Sequence, residues 1–184
     1  MESAIKTIEQ VFQSRGANQY GTEAVTQLEH GLQCAQLAEE AKAKSPLIAS
    51  ALLHDIGHIL DPGTASNPPS DSFDDRHEFR GNAWVKQHFG DQVADPIRLH
   101  VAAKRYLCTT DATYEQLLSP TSLKSYHDQG GPMSQEEIAG FEREPHSPEA
   151  LTLRRWDDLA KDPDRKTPPL PHYLPHLSAC LISR

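Results

Sequence analysis

Apolar residues recur along most of this chain at the three- and four-residue spacing of helices, and no segment shows the alternation of a strand. Ile5, Ile8, Val11 and Phe12 make one face of a short amphipathic helix, which the glycines and asparagine within residues 14–21 break. Thr22 is the expected N-cap of a second helix to about residue 43, with Val25, Leu28, Leu32, Ala35 and Leu37 on its buried side. Ser45 and Pro46 mark a stop and a new first turn. The helix that follows, over residues 46–59, is apolar nearly all round (Leu47, Ile48, Ala49, Ala51, Leu52, Leu53, Ile56), the pattern of a buried central helix.

Residues 60–73, with Pro62, Gly63, Pro68 and Pro69, read as a loop. Asp74 or Asp75 caps a helix that Gly90 stops, and Asp91 or Asp95 starts another carrying Ile97, Leu99 and Val101. A short helix over residues 110–118, ended by Ser119-Pro120, gives way to a loop over 119–133. Ser134-Gln135-Glu136-Glu137 is a capping box for a helix to about residue 143. Ser147 caps the last strong helix, to about residue 161; residues 162–171 are extended, and 172–182 form a closing helix. The expected fold is all-α: one helical domain over residues 1–184.

Composition narrows the function classes. The net charge is −8 and no stretch is rich in Lys and Arg, which argues against general nucleic-acid binding. Neither a membrane-length apolar run nor a charged-then-apolar leader is present, so no membrane association is expected. Cys34, Cys108 and Cys180 are far apart and form no CxxC pair, so they read as reduced thiols of a cytoplasmic protein. Ten histidines are the compositional anomaly, and they direct attention to metal chemistry.

The buried central helix ends in His54-Asp55-Ile56-Gly57-His58. Imidazole and carboxylate together suit iron, manganese or zinc, and burying them is costly unless they are paired or metal-bound. His30, His54, Asp55, His77, His100 and Asp157 all lie on expected helices with apolar flanks. Each alone reads as a satisfied core or surface residue, and Asp55 alone as a helix cap. Four His and two Asp drawn from five helices give two metals three protein ligands each if none is shared. Lys104, one turn after His100, and Arg154, about one turn before Asp157, bring cations to the same region. Both equally suit a solvated helix face. Asp158 is expected to point elsewhere, and His88, His127, His146, His172 and His176 to serve surface or packing roles.

The order His30…His54-Asp55…Asp157 resembles the HD-domain superfamily of metal-dependent phosphohydrolases, and His77 and His100 fit its dinuclear members. Four segments sharpen the likeness: Tyr20-Gly21-Thr22-Glu23 with Gln27-Leu28-Glu29-His30, the stretch from His54 to His58, that from His100 to Leu107, and that from Leu153 to Asp158. Over about residues 18–175 the chain resembles the mixed-valent diiron oxygenases of that superfamily, in the branch acting on 1-hydroxy-2-aminoethylphosphonates.

The resemblance implies His30, His54, Asp55, His77, His100 and Asp157 as metal ligands, with Asp55 bridging, two iron ions as Fe(II)/Fe(III), and O2 as co-substrate. It implies that Tyr20 occupies an iron position in the substrate-free state and that Glu23 senses the substrate amine. His58, Lys104, Ser122 and Arg154 hold the phosphonate. The implied reaction oxygenates C1 and cleaves the C–P bond, giving phosphate and glycine or a methylated glycine. A separate 2-oxoglutarate-dependent hydroxylase is the implied upstream partner. The rival readings are an HD phosphohydrolase acting on a nucleotide or phosphate ester, an oxygenase of inositol-type polyols, and a non-catalytic module that keeps the fold. Tyr20 with Glu23, and Lys104 with Arg154, favour the phosphonate oxygenase.

Overall fold

The centre of the molecule is α3 (Ser45–Leu53), whose residues from Ile48 to Leu53 are all buried. In this computed structural model the described residues are 2–60 and 77–182, with the side chains of residues 2, 3, 77 and 80 outside that set. Around α3 pack α2 (Gln27–Glu40), α6 (Asp91–Thr110) and α9 (Ser147–Leu159). α10 (Leu170–Ala179) also packs on α3, and outside lie α1 (Glu2–Arg15), α4 (Gly57–Leu60), α5 (His77–Phe89), α7 (Pro120–Asp128) and α8 (Gln135–Glu142), with a 3-10 turn at Tyr114–Leu117. The architecture is all-α; among the described residues the one β feature is an isolated bridge between Gln19 and Thr26.

Two close approaches set the geometry of the centre. A Cβ on Gly31 of α2 would stand 2.9 Å from the carbonyl oxygen of Leu52, so only glycine lets α2 meet α3 there. That contact lies beside His30 and two residues before His54. Ser50 Oγ donates to Val93 O at 2.8 Å and ties α3 to α6. The main core joins α1, α2, α3, α6, α9 and α10 through Ile8, Phe12, Leu32, Leu52, Ile97, Leu153 and Leu177.

The structure corrects four expected elements. Helix α2 starts after Thr26 rather than Thr22, because Thr26 and Glu29 form a reciprocal capping box. Residues 20–25 are instead a turn in which Gly21 takes φ +56°. The central helix stops at Leu53 instead of continuing to residue 59. Three-residue backbone bonds follow (Ile56 N to Leu53 O, 3.0 Å; His58 N to Asp55 O, 3.0 Å) before α4 begins. The expected helix over 110–118 is the C-terminal end of α6 followed by the 3-10 turn. The expected loop over 119–133 contains α7, whose first turn is capped by Ser119 with Pro120 at N1. The capping box at Ser134 and the closing helix form as expected. The expected loop over 60–73 and the caps Asp74 and Asp75 fall, apart from Leu60, outside the described residues.

Candidate metal centre

Three histidines from three helices turn the same face inward. His30 Nδ1 sits 2.8 Å from Ala160 O, His54 Nδ1 2.9 Å from Ala51 O, and His100 Nδ1 2.7 Å from Ile97 O. A carbonyl only accepts, so each Nδ1 carries the proton and donates it. A ring that is neutral with Nδ1 protonated presents an Nε2 lone pair on its other side. His30 Nε2 and His54 Nε2 face each other at 3.1 Å. Burial lowers the His54 pKa and keeps that ring neutral. Two lone pairs at this distance repel unless an electrophile lies beside both. Two nitrogens bound at about 2.1 Å and at right angles to one ion are about 3 Å apart.

Two carboxylates complete the cluster. Asp55 Oδ2 is 3.4 Å from His54 Nε2 and 3.6 Å from His30 Nε2, while its Oδ1 is 3.6 Å from His100 Nε2. Asp55 therefore lies between the His30–His54 pair and His100, the disposition of a bridging carboxylate. Asp157 Oδ1 is 3.4 Å from His30 Nε2, and it is a buried oxygen with no hydrogen-bond partner among the described residues. Burial works to raise the Asp157 pKa, but the Arg154 guanidinium beside it is the largest opposing cause, and the carboxyl is held ionised, well below the usual carboxylate range. Imidazole nitrogens, carboxylates and an orphaned buried oxygen make a donor set that fits metal ions. His77 opens α5, and its side chain lies outside the described residues.

Tyr20 and Cys34 border this cluster. The Tyr20 ring stacks on His30 with centroids 3.9 Å apart. Burial, then the charges of Asp157 and Asp55, push the phenol pKa well up. Cys34 follows His30 by one turn, and its sulfur lies within 4.8 Å of donor atoms of His30 and His54. Burial, with the charges of Asp157 and Asp55, raises the thiol pKa and keeps it protonated. As a thiol it forms a small apolar wall of the site. The i, i+4 spacing to His30 was a signal that the sequence reading passed over.

A cluster of cationic and hydroxyl side chains adjoins the centre. Arg154 Nη1 donates to Asp157 Oδ2 at 2.6 Å, and its Nη2 reaches Ser122 Oγ at 3.4 Å on α7. Lys104 is buried and donates to Ser125 Oγ at 2.6 Å. Burial first, then repulsion from Arg154, lowers its pKa to about 7. Glu23 Oε1 accepts from Ser119 Oγ at 2.5 Å, so the Tyr20–Glu23 turn is docked on the start of α7. His58 is half-buried on α4, linked to Asp55 by its backbone N–H. The break after Leu53 means that it does not continue the helix of His54, although i, i+4 spacing on one helix was expected.

Two side chains that reach this cluster were not among the expected ones. Asp158, expected to point elsewhere, accepts from Arg154 Nε at 3.1 Å and also from Arg154 Nη2 and the Tyr114 hydroxyl. The i, i+4 spacing of Arg154 and Asp158 was the available signal. Lys161, just beyond α9, places Nζ 2.7 Å from Ser122 Oγ and 3.3 Å from Glu23 Oε1.

The HD domain family model matches residues 28–162, the span from α2 to just beyond α9. The chain is 43% identical over 177 residues to the hydroxymethylphosphonate dioxygenase of Gimesia maris, covering 96% of this chain and 88% of that one. It is 41% identical over 166 residues to the [1-hydroxy-2-(trimethylamino)ethyl]phosphonate dioxygenase (glycine-betaine-forming) of Leisingera caerulea, covering 90% and 84%. An uncharacterized protein, L432, of Acanthamoeba polyphaga mimivirus is 34% identical over 170 residues, covering 92% and 78%. Among the described residues no helix is long and apolar enough to cross a membrane.

Proposed function

We propose a function from one premise: the chain belongs to the HD-domain family, in its phosphonate dioxygenase branch. It is an oxygenase that uses a metal pair and O2 to cleave the C–P bond of a 1-hydroxyphosphonate. The products are phosphate and the carboxylic acid formed from C1. With a 2-amino or 2-trimethylammonio substituent on the substrate, that acid is glycine or a methylated glycine. The 1-hydroxyl must be installed beforehand, a reaction suited to a 2-oxoglutarate-dependent hydroxylase.

The observation that carries this reading is Arg154, which touches both halves of the site. One nitrogen binds Asp157 of the candidate centre and another reaches Ser122 of the anion pocket. A substrate whose phosphonate lies on Arg154, Lys104, Ser122 and His58 presents its C1 toward the carboxylates and imidazoles. His30, His54, Asp55, His77, His100 and Asp157 would hold two iron ions, which would supply O2 activation and the redox capacity for oxidation at C1. Tyr20 covers the centre from the His30 side and moves away as substrate enters. Glu23 receives the substrate's cationic end.

The test is oxygen uptake and phosphate release from a 1-hydroxyphosphonate by iron-loaded protein, with electron paramagnetic resonance of the same sample. One O2 consumed per phosphate, and a coupled half-integer signal that shifts with substrate, are expected. Phosphate-ester hydrolysis without oxygen uptake would overturn the reading.

Lys104 gives a sharper expectation. Lys104→Ala raises KM about tenfold or more, the loss expected of a hydrogen bond to a charged group. Both irons stay bound, because Lys104 donates to Ser125 and not to the carboxylates. Only the ammonium form attracts a dianion, and with the pKa near 7 that form is lost as pH rises through neutrality. Wild-type KM, divided by that of Lys104→Arg, is therefore flat below pH 7 and climbs above it. The ratio cancels the ionisation of the phosphonate itself. Iron loss from Lys104→Ala would reassign the residue to the centre.

A further inference from the structure

Lys161 is a third cation at the anion pocket, and its position is fixed from the backbone. Ala160 O is held by His30 Nδ1 at 2.8 Å. Asp162 is clamped on both sides by the buried Gln33, whose Nε2 donates to Asp162 O at 2.7 Å and whose Oε1 accepts from Asp162 N at 3.1 Å. Between these anchors the Lys161 side chain reaches back over Tyr20, with Nζ 6.0 Å from the ring centroid. Its ammonium has three partners: Ser122 Oγ at 2.7 Å, Ser119 Oγ at 3.3 Å and Glu23 Oε1 at 3.3 Å.

The charges of the pocket are unevenly matched. Arg154 is already held by two carboxylates, Asp157 and Asp158. The Lys161 ammonium is divided between a carboxylate and Ser122, the same hydroxyl that Arg154 approaches. A phosphonate at Ser122 and Glu23 therefore compete for one cation. If Lys161 turns to the anion, Glu23, whose side chain is only 13% exposed, loses its counter-ion. Leaving a largely buried carboxylate unpaired is costly. A cationic group on the substrate removes that cost.

We propose that Lys161 is a specificity-determining residue: it passes from Glu23 to the substrate's phosphonate, and Glu23 is then paired by the substrate's cationic substituent. This deepens the reading of the site as a phosphonate pocket and rests on it. A substrate bearing both charges exchanges one ion pair for two. A phosphonate without the cation breaks the pair and gains only one side of the exchange.

Inorganic phosphate, the proposed product, separates the two charges, because it offers the anion without the cation. Its dissociation constant is measured calorimetrically on iron-loaded wild type, Lys161→Met, Lys161→Arg, Glu23→Gln and the Lys161→Met/Glu23→Gln double variant. Lys161→Met binds phosphate about tenfold more weakly or worse. Glu23→Gln frees Lys161 and binds it about tenfold more tightly. The double variant matches Lys161→Met, since the gain acts through Lys161. Lys161→Arg stays near wild type and separates loss of charge from loss of fold. In turnover, wild type prefers 1-hydroxy-2-aminoethylphosphonate to hydroxymethylphosphonate, and Glu23→Gln loses that preference. Unchanged phosphate binding in Lys161→Met, tightening by Glu23→Gln that survives removal of Lys161, or a wild-type preference for the uncharged substituent would each overturn the proposal. The phosphate titrations require no turnover, so absence of C–P cleavage would overturn the oxygenase reading and leave the role of Lys161 to be judged on binding.

Discussion

Asp55→Ala protein is expected to bind fewer than two metal ions and to lose more than about a thousandfold in kcat, the scale seen when a reacting constellation loses a member. The reason is position. Asp55 places one oxygen 3.4 Å from His54 Nε2 and 3.6 Å from His30 Nε2, and the other 3.6 Å from His100 Nε2. Asp157 makes its histidine contacts with His30 and His54 alone among the described residues. Removing Asp55 therefore takes an oxygen from the His30–His54 pair and from His100 at once. Adding Fe(II) should raise the melting temperature of wild type and leave that of the variant almost unchanged. Metal analysis beside thermal melts checks both, and a variant that still holds two ions removes Asp55 from the bridge.

Five of the six candidate ligands, His30, His54, Asp55, His100 and Asp157, come together in the structure, and each could be picked out as a polar exception inside an apolar helical pattern; the side chain of the sixth, His77, lies outside the described residues. His30, His54 and His100 needed only the correct helix assignment to come together, and α2, α3 and α6 form close to where the pattern puts them. The boundaries were harder, since Thr22 and Thr26 are equally good caps by residue type. Glu29 at the third position of the helix, with Gly21 at positive φ in the turn before, decides for Thr26. Ser119-Pro120 reads as a stop and is in fact a start, because proline is as well suited to a first turn as to an end. Lys161 was illegible for a different reason. Its reach depends on Gln33 clamping Asp162 and on His30 holding Ala160, contacts spanning 129 and 130 residues that no local pattern records.

Arg154→Met is expected to cost about 3–5 kcal/mol of stability in metal-free protein, the penalty for removing one partner of a buried ion pair. At this chain length that lowers Tm by roughly 10 °C. Arg154 is 3% exposed and neutralises two carboxylates, Asp157, itself 1% exposed, and Asp158. Methionine fills the volume and leaves both charges behind. Arg154→Lys is a poor rescue, since a single ammonium cannot span Asp157, Asp158 and Ser122 as the planar fork does. The dependence on pH separates charge from packing. With Arg154 present the folded Asp157 pKa is depressed, so the stabilisation exists above the ordinary carboxylate range and fades only as pH falls through that lowered value. Without Arg154, burial dominates and the Asp157 pKa is raised instead, so the variant sheds its penalty by taking up a proton in mild acid. The stability gap between wild type and Arg154→Met should therefore narrow on acidification from neutral pH, as read by urea denaturation. A gap that is constant with pH would assign the loss to packing, and a gap below about 1 kcal/mol would show that water replaces the guanidinium.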